Sequence, residues 1–214
     1  MARQGDLPSR LATCQKPECA ACRFGRATKI PWRVKGSQNQ SHIKVCTQPG
    51  QCVSVDQLES TSPGFIAQLK GSLTRKRYRY VTVFTDHFSD LSFVHLQKTI
   101  TSAETLEAKN AFEAYSKSLG VRIQHYHADN GRFADNLFLQ SVKDNKQTIS
   151  FCGVNAHFQN GIAEKRIRDL QEAARSQLLH AKHRWPDAVD TSLWPYAIRH
   201  ANDVHNSTIR TRCS

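Results

Sequence analysis

Three carboxylates lie far apart in the sequence, each at the end or the beginning of a predicted element. Asp56 ends a predicted first strand, Asp129 ends a fourth strand, and Glu164 lies in the first turn of a later helix. If those two strands are neighbours in one sheet, their ends lie side by side, and a helix packed across that edge adds the third acid. Carboxylates gathered in this way repel one another unless cations neutralise them.

Such a group of acids predicts metal-dependent phosphoryl transfer. Hard oxygen ligands select Mg²⁺ or Mn²⁺, and two such ions about 3.5–4 Å apart can activate a nucleophile and stabilise the leaving oxygen of a phosphodiester. Each acid also has a structural explanation, because Asp56 can be a turn residue and Asp129-Asn130-Gly131 is itself a turn signal. Asp86 and Asp90 compete as ligands but rank lower, because they lie in a turn that connects two outer strands.

The elements that must position these acids follow from hydrophobic periodicity and from cap and turn residues. The predicted strands cover residues 52–58, 78–85, 91–97, 121–127 and 147–152. The predicted helices cover residues 101–120, 136–144, 160–185 and 193–205. The order βββ–α–β–α–β–α–α predicts an α+β fold, with a five-stranded mixed sheet flanked by helices in the ribonuclease H-like arrangement.

The helix that follows Asn160-Gly161 carries two distinct faces. Its apolar positions predict a buried stripe: Ile167, Leu170, Ala174 and Leu178. Another face begins with Glu164, which gains from the positive end of the helix dipole. Basic and polar residues follow, and such residues suit a phosphate backbone. The predicted nucleic-acid contacts are Asn160, Lys165, Arg168, Gln171 and Arg175, although a solvated amphipathic helix would show the same pattern.

The composition favours a polyanionic partner. The 214 residues include 30 Lys and Arg against 18 Asp and Glu, which gives a formal net charge of +12. Nucleic acid is the first candidate for such a charge. No run of about 18 apolar residues exists, and the first residues lack the apolar segment of a signal peptide. We therefore expect an intracellular protein, in the nucleus or in a cytoplasmic particle, that is not secreted and has no membrane partner.

The seven cysteines are interpreted as thiols or metal ligands and not as a disulfide framework. Cys19 and Cys22 form a C-x2-C pair, the spacing at which two thiolates hold one Zn²⁺ ion. The other ligands stay open: Cys14, His42 or Cys46 can complete a tetrahedron. The predicted domains are a partial zinc-binding remnant (1–23), a basic linker (24–48) and a catalytic core (49–214).

Several segments resemble copia-type LTR retrotransposon integrases. The strongest similarity lies in His127-Ala-Asp-Asn-Gly131 and in the stretch from Gln159 to Arg168, Gln-Asn-Gly-Ile-Ala-Glu-Lys-Arg-Ile-Arg. Val53-Ser-Val-Asp56 resembles the segment that bears the first aspartate of those enzymes, and Trp194-Pro-Tyr-Ala with Asn206 resembles the motif after their core. Cys19-x2-Cys22, followed by Gly25 and Lys29, resembles the second half of their His-His-Cys-Cys zinc module.

The resemblance implies an integrase fold, DNA 3′-end processing and strand transfer. It implies that Asp56, Asp129 and Glu164 form a catalytic triad that binds Mg²⁺ or Mn²⁺, and that the loop before Asn160-Gly161 is mobile. It further implies DNA partners (element ends and target DNA) and a homo-oligomer. His157 is a candidate DNA contact in that loop, whereas His125 and His127 are interpreted as ordinary strand residues.

Two features depart from that family, and two other functions stay open. Between Asp129 and Glu164 lie 34 residues, one fewer than is usual there. The upstream His pair of the zinc module is missing. The alternatives are a catalytically inactive DNA-binding remnant of a retroelement polyprotein and a ribonuclease H-type nuclease that cuts hybrids.

Overall fold

The computed structural model describes residues 19–26, 46–67, 75–153 and 160–208, and its centre is one five-stranded mixed sheet. The strands are β1 (Val53–Gly64), β2 (Tyr78–Asp86), β3 (Ser92–Gln97), β4 (His125–Ala128) and β5 (Thr148–Phe151). Their order across the sheet is β3-β2-β1-β4-β5. The pairs β3–β2 and β2–β1 are antiparallel, whereas β1–β4 and β4–β5 are parallel. This arrangement confirms the predicted ribonuclease H-like fold.

Five α-helices accompany the sheet in the described residues. They are α1 (Ala20–Gly25), α2 (Ser102–Ser118), α3 (Asn136–Asp144), α4 (Gly161–Arg184) and α5 (Trp194–Ser207). The last four match the predicted helices to within a few residues, whereas the sequence predicted no helix at α1. Within the described residues, every helix is too short or too polar to span a membrane.

The ends of α2 show why local sequence located the helices well. Thr101 caps its beginning, because its hydroxyl accepts the Glu104 N–H at 3.4 Å. The Glu104 carboxylate does not reach back to the Thr101 N–H as in a capping box; it accepts the Lys98 and Thr99 N–H groups at 2.9 and 3.0 Å. Gly120 ends the helix with a φ of +75°, which favours glycine.

Two apolar clusters cover the two faces of the sheet. On one face, Val55 and Phe84 pack with α2 and α3. On the other, Val83 packs with Ile167 of α4 and with α5. Because Asp56 lies opposite Val83 in the antiparallel register, its side chain points to the face that α4 covers.

The length of β1 corrects the sequence prediction. We expected a strand over residues 52–58 and a turn at Ser62-Pro63-Gly64, but the strand continues to Gly64. The register with β2 shifts between Glu59 and Gly64, and a bulge or irregularity of this kind tolerates a proline that has no N–H to donate. Asp56 therefore lies inside β1 and does not end it.

The fourth strand is shorter than predicted. It begins at His125 instead of residue 121, because the preceding residues make other backbone bonds. The Val121 N–H closes the end of α2 on the Ser116 carbonyl at 2.9 Å, and the Gln124 N–H donates to the Gly50 carbonyl at 2.8 Å.

One charged cluster lies inside the packing between α2 and the sheet. The apolar Leu119 at the end of α2 is 52% exposed, while Lys109 is fully buried. Lys109 Nζ lies 2.8 Å from Glu113 Oε1, and it donates to Ser141 Oγ at 2.9 Å. The Tyr126 hydroxyl also donates to Glu113, at 2.7 Å. We call these four residues, with Gln147, the Lys109–Glu113 cluster.

Asp86 and Asp90, the lower-ranked ligand candidates, have structural contacts. The Asp86 carboxylate accepts the Gly50 and Ser89 N–H groups at 2.8 and 2.7 Å. Asp90 pairs with the buried guanidinium of Arg166 on α4. These contacts fix the β2–β3 turn and its packing against α4.

Candidate active site

Asp56, Asp129 and Cys152 follow one another across three neighbouring strands. The parallel pairing of β1 with β4 ends at Val55 and Ala128, so Asp56 and Asp129 are the next residues on each strand. The Cys152 N–H continues the ladder on the other side, where it donates to the Ala128 carbonyl at 3.0 Å. The parallel strands therefore bring two of the predicted acids to one level of the sheet.

Asn160 ties the beginning of α4 to this edge. Its side-chain Nδ2 donates to the Val55 carbonyl at 3.0 Å, directly before Asp56. Glu164 follows one helical turn later, in the first turn of α4. Asn160 is only 2% exposed, and this buried position argues against the direct DNA contact predicted for it. The residue instead positions the helix that carries Glu164.

The charges of all three acids affect the pKa of the Cys152 thiol. Burial raises the pKa of its thiol, and the negative charges of Asp129, Glu164 and Asp56 raise the pKa further. All three carboxylates therefore lie in the neighbourhood of Cys152. Their oxygens do not all lie within 4.8 Å of one another in the described part of the chain.

The acids are half-buried and differ in their contacts. Asp56 Oδ1 accepts the Gln57 N–H at 2.8 Å. Among the described residues, neither Asp129 nor Glu164 forms a salt bridge. A Cβ at Gly131 would lie 3.1 Å from Asp129 Oδ2, so glycine leaves room beside that carboxylate. Hard oxygen donors without a protein cation suit Mg²⁺ or Mn²⁺.

A row of histidine and serine side chains runs along the same sheet. His127 Nδ1 lies 2.8 Å from Ser150 Oγ, and its Nε2 lies 3.6 Å from Cys152 Sγ. His125 Nε2 shares the same Ser150 hydroxyl at 2.8 Å. Both histidines lie in β4, as predicted, and their rings are held by these neighbours.

The predicted basic row on α4 faces solvent. Its residues Lys165, Arg168, Gln171 and Arg175 are all exposed. Arg175 also donates to the Gly25 carbonyl of α1 at 3.3 Å. DNA contact by this row stays a prediction. His157 and the rest of the predicted mobile loop, 154–159, lie outside the described residues.

The Cys-x2-Cys pair meets a residue that the sequence did not suggest. Cys19, Cys22 and His180 of α4 form the one group of at least three Cys, His, Asp or Glu ligand atoms within 4.8 Å of one another in the described residues. The sequence candidates Cys14 and His42 lie outside those residues, and Cys46 is not part of this group. No local signal could have found His180, because 157 residues separate it from Cys22 and only the packing of α1 on α4 joins them.

The similarities of this chain to known proteins are to solved structures. No protein-family model matches the sequence, and no curated protein does. The simian T-cell lymphotropic virus intasome, solved with PP2A regulatory subunit B56 gamma, matches with a TM-score of 0.61 and 17% identity. That match covers 91% of this chain and 60% of the other chain, so this chain spans less than two thirds of that relative.

Two further structures are catalytic core domains. The BIV integrase core matches with a TM-score of 0.51 and 15% identity, over 76% of this chain and 88% of that one. The HTLV-2 integrase core in complex with magnesium matches with a TM-score of 0.48 and 20% identity, over 73% and 84%. The last similarity is too weak to carry an argument. The chain has the fold of an integrase catalytic core.

Proposed function

We propose that the chain is the catalytic core of a copia-type retrotransposon integrase, which processes DNA 3′ ends and joins them to target DNA. The observation that carries this proposal is the position of Asp56, Asp129 and Glu164 around Cys152 at one edge of the sheet. The integrase-core fold supports it. A ribonuclease H-like fold alone would not select this reaction, since function depends on the site.

The three carboxylates would hold Mg²⁺ or Mn²⁺. When bound, such ions lower the pKa of a water molecule and neutralise charge on a phosphodiester. The protein itself contributes the positions of its acids: β1 and β4 fix Asp56 and Asp129 in register, and Asn160 fixes the first turn of α4 with Glu164. Catalysis of this kind depends mainly on positioning and on charge neutralisation.

The proposed reaction has two phosphoryl transfers. In end processing, a water oxygen forms a bond to phosphorus and loses a proton to solvent, while the bond from phosphorus to the 3′ oxygen breaks and that oxygen takes up a proton to become the free 3′-hydroxyl. In strand transfer, the 3′-hydroxyl oxygen bonds to a phosphorus of the target and loses its proton, while one target P–O bond breaks and the leaving oxygen takes up a proton. Each step exchanges one P–O bond for another, so the proposal requires no covalent enzyme intermediate.

Lys165, Arg168, Gln171 and Arg175 would hold the DNA backbone beside the acids. All four are exposed along α4, which begins at the proposed site. Phosphate contacts made by such residues should weaken as the salt concentration rises. We include a homo-oligomer acting on element ends and target DNA in this proposal, in the nucleus or in a cytoplasmic particle.

The substitution Glu164→Gln tests the proposal. A branched DNA that mimics the joined product suits the assay, because strand transfer exchanges bonds and can run backwards without a known end sequence. The wild type with Mn²⁺ should resolve the branch, and the variant should lose at least about 10³-fold in rate, since a catalytic metal contributes several kcal/mol. DNA binding should stay close to that of the wild type.

Glu172→Gln is the matched control, because it makes the same change of charge two turns further along α4. It should leave the rate unchanged. Full activity of the Glu164→Gln variant would remove Glu164 from the mechanism.

The alternatives predict different products. The separation of the carboxylate oxygens beyond 4.8 Å favours an inactive DNA-binding remnant, which would shift labelled DNA without resolving it. A ribonuclease H-type nuclease would cut a labelled RNA–DNA hybrid in the same buffer. Joined or resolved DNA identifies an integrase, and salt-sensitive binding alone identifies the remnant.

A further inference from the structure

Two exposed aromatic rings lie side by side where β1 ends. Phe65, directly after β1, is 37% exposed, and Tyr196, in the first turn of α5, is 43% exposed. Their ring centroids lie 6.5 Å apart, with 35° between the ring planes. The Arg77 guanidinium lies 5.9 Å from the centroid of the Phe65 ring. We call Phe65, Tyr196 and Arg77 the aromatic platform.

The backbone beneath the platform is fixed by close contacts between β1 and α5. The Phe65 N–H donates to the Ser192 carbonyl at 2.7 Å. A Cβ at Gly64 would lie 2.5 Å from Pro195 Cγ and 2.7 Å from Trp194 Cε2, so a larger residue would push α5 away from β1. The two rings are therefore held beside each other before any partner arrives, which lowers the entropic cost of binding.

The chain around the platform is basic. From residue 60 to residue 85 the sequence has five basic residues and no acid. Arg75 and Arg79, on the β2 side of the platform, are both exposed. Two acids lie on neighbouring elements: Glu59 is 4.0 Å from Arg79, and Asp190 accepts a hydrogen bond within its own loop. The basic residues outnumber these acids, so the surface is complementary to a polyanion.

Exposed rings among basic residues suit a single strand of nucleic acid. Unpaired bases stack on aromatic side chains while the basic residues contact the phosphates. In a duplex the bases already stack on one another, and the rings gain nothing from them. Gly64 lies eight positions after Asp56, and a strand rises about 3.3 Å per residue. The platform is therefore about 25 Å along β1 from the carboxylate group and is a separate surface.

We propose that the aromatic platform, together with Arg75, Lys76 and Arg79, binds single-stranded nucleic acid. One or two unpaired bases stack on the Phe65 and Tyr196 rings, and the basic residues hold the adjacent phosphates. This binding requires no metal ion and no phosphoryl transfer. It can therefore fail or succeed independently of the proposed integrase reaction.

Fluorescence anisotropy with a labelled oligothymidylate strand of about twelve nucleotides tests the proposal. A chelator and an excess of unlabelled duplex, which occupies other phosphate-binding surfaces, are present throughout. Phe65→Ala with Tyr196→Ala should weaken strand binding at least about fivefold, the effect of losing one stacked base. Leu137→Ala with Leu179→Ala is the matched control, because it removes two exposed apolar side chains elsewhere, and it should bind as the wild type does.

Further variants separate the rings from the charges. Phe65→Leu with Tyr196→Leu keeps apolar bulk without a ring and should lose the same affinity, whereas Tyr196→Phe keeps the ring and should retain it. Arg75→Gln should weaken binding and reduce its salt dependence, because one phosphate contact is lost. Arg122→Gln, at another exposed arginine, should change neither.

An oligouridylate strand distinguishes the sources of such a ligand. Stacking on the rings is common to DNA and RNA, and the strand that binds more tightly identifies which of the two the platform takes. The proposal is overturned if the folded ring variants bind the strand like the wild type, or if they lose duplex and strand binding equally. A changed oligomeric state with unchanged strand binding would also overturn it and identify a protein interface instead.

Discussion

Two charged regions lie on opposite faces of one sheet. One pairs opposite charges, and the other brings like charges together. In the Lys109–Glu113 cluster, a fully buried ammonium meets a carboxylate at 2.8 Å. In the carboxylate group of Asp56, Asp129 and Glu164, three negative charges lie near one thiol, whose pKa is raised first by burial and then by these charges. The first region is balanced by the chain itself, whereas in the second neither Asp129 nor Glu164 forms a salt bridge within the described residues.

The contacts of Glu113 show how the chain stabilises a largely buried carboxylate. Its carboxylate accepts from Lys109, Tyr126, Asn145 and Gln147 at 2.7 to 2.9 Å. Burial pushes the pKa of Glu113 upward, but the hydrogen bonds from Lys109, Gln147 and Tyr126 outweigh it and hold the pKa below its ordinary value. No comparable set of donors surrounds Asp129 or Glu164 in the described residues. We infer that the first region serves the fold; under the proposed function, the second would hold an external cation.

Disrupting the Lys109–Glu113 cluster should have the largest effect on stability. Glu113→Gln leaves Lys109 buried without its anionic partner, and removing one partner of a buried pair costs about 3–5 kcal/mol. Urea unfolding at neutral pH measures this change in the free energy of unfolding.

A double variant provides the control. Lys109→Met with Glu113→Leu removes both charges, and such replacements are often neutral or stabilising, so most of the lost stability should return. If Glu113→Gln unfolds at the same urea concentration as the wild type, the cluster does not stabilise the fold.

The pH dependence of stability should come partly from the same residue. Because the pKa of folded Glu113 lies below its ordinary value of 4.5, its contribution is present above pH 4.5 and is lost as the pH falls through the folded pKa. The difference in unfolding free energy between the wild type and Glu113→Gln should therefore shrink below pH 4.5. A constant difference down to strongly acidic pH would contradict this sign.

The carboxylate group should respond in the opposite direction and by less. In the presence of a chelator, Asp129→Asn with Glu164→Gln relieves like-charge repulsion and should stabilise the fold by about 0.5–2 kcal/mol, the usual gain from removing an unfavourable functional feature. Thermal unfolding in chelator compares the two proteins. A loss of stability would show that these acids support the fold instead of a ligand.

The sequence predicted those features that depend on local periodicity. The buried stripe of α4 is confirmed at Ile167, Leu170 and Ala174, whereas Leu178 is half-buried. The order of the elements along the chain agrees with the prediction, but that the first and fourth strands are neighbours was only a condition of the prediction, and their register was not predicted. The extension of β1 past Pro63 was missed because an irregularity in the pairing with β2 tolerates the turn residues there.

Features made by tertiary packing left no local signal. Lys109 lies on the buried side of α2, where a charged residue is interpretable only once Glu113 and Tyr126 are in place. Asn160 looked like an exposed cap, but its side chain bonds the Val55 carbonyl of another element. His180 joins Cys19 and Cys22 only through the docking of α1, which no spacing in the sequence predicts.

The most direct measurement is the Mn²⁺ affinity of four proteins: the wild type, Asp129→Asn, Glu164→Gln and the double variant. If the acids form one pocket, each single substitution should remove most of the affinity and the double should lose little more, because residues that share a ligand are not additive. Wild-type affinity in either single variant, or losses that simply add, would show that Asp129 and Glu164 do not bind the same ion.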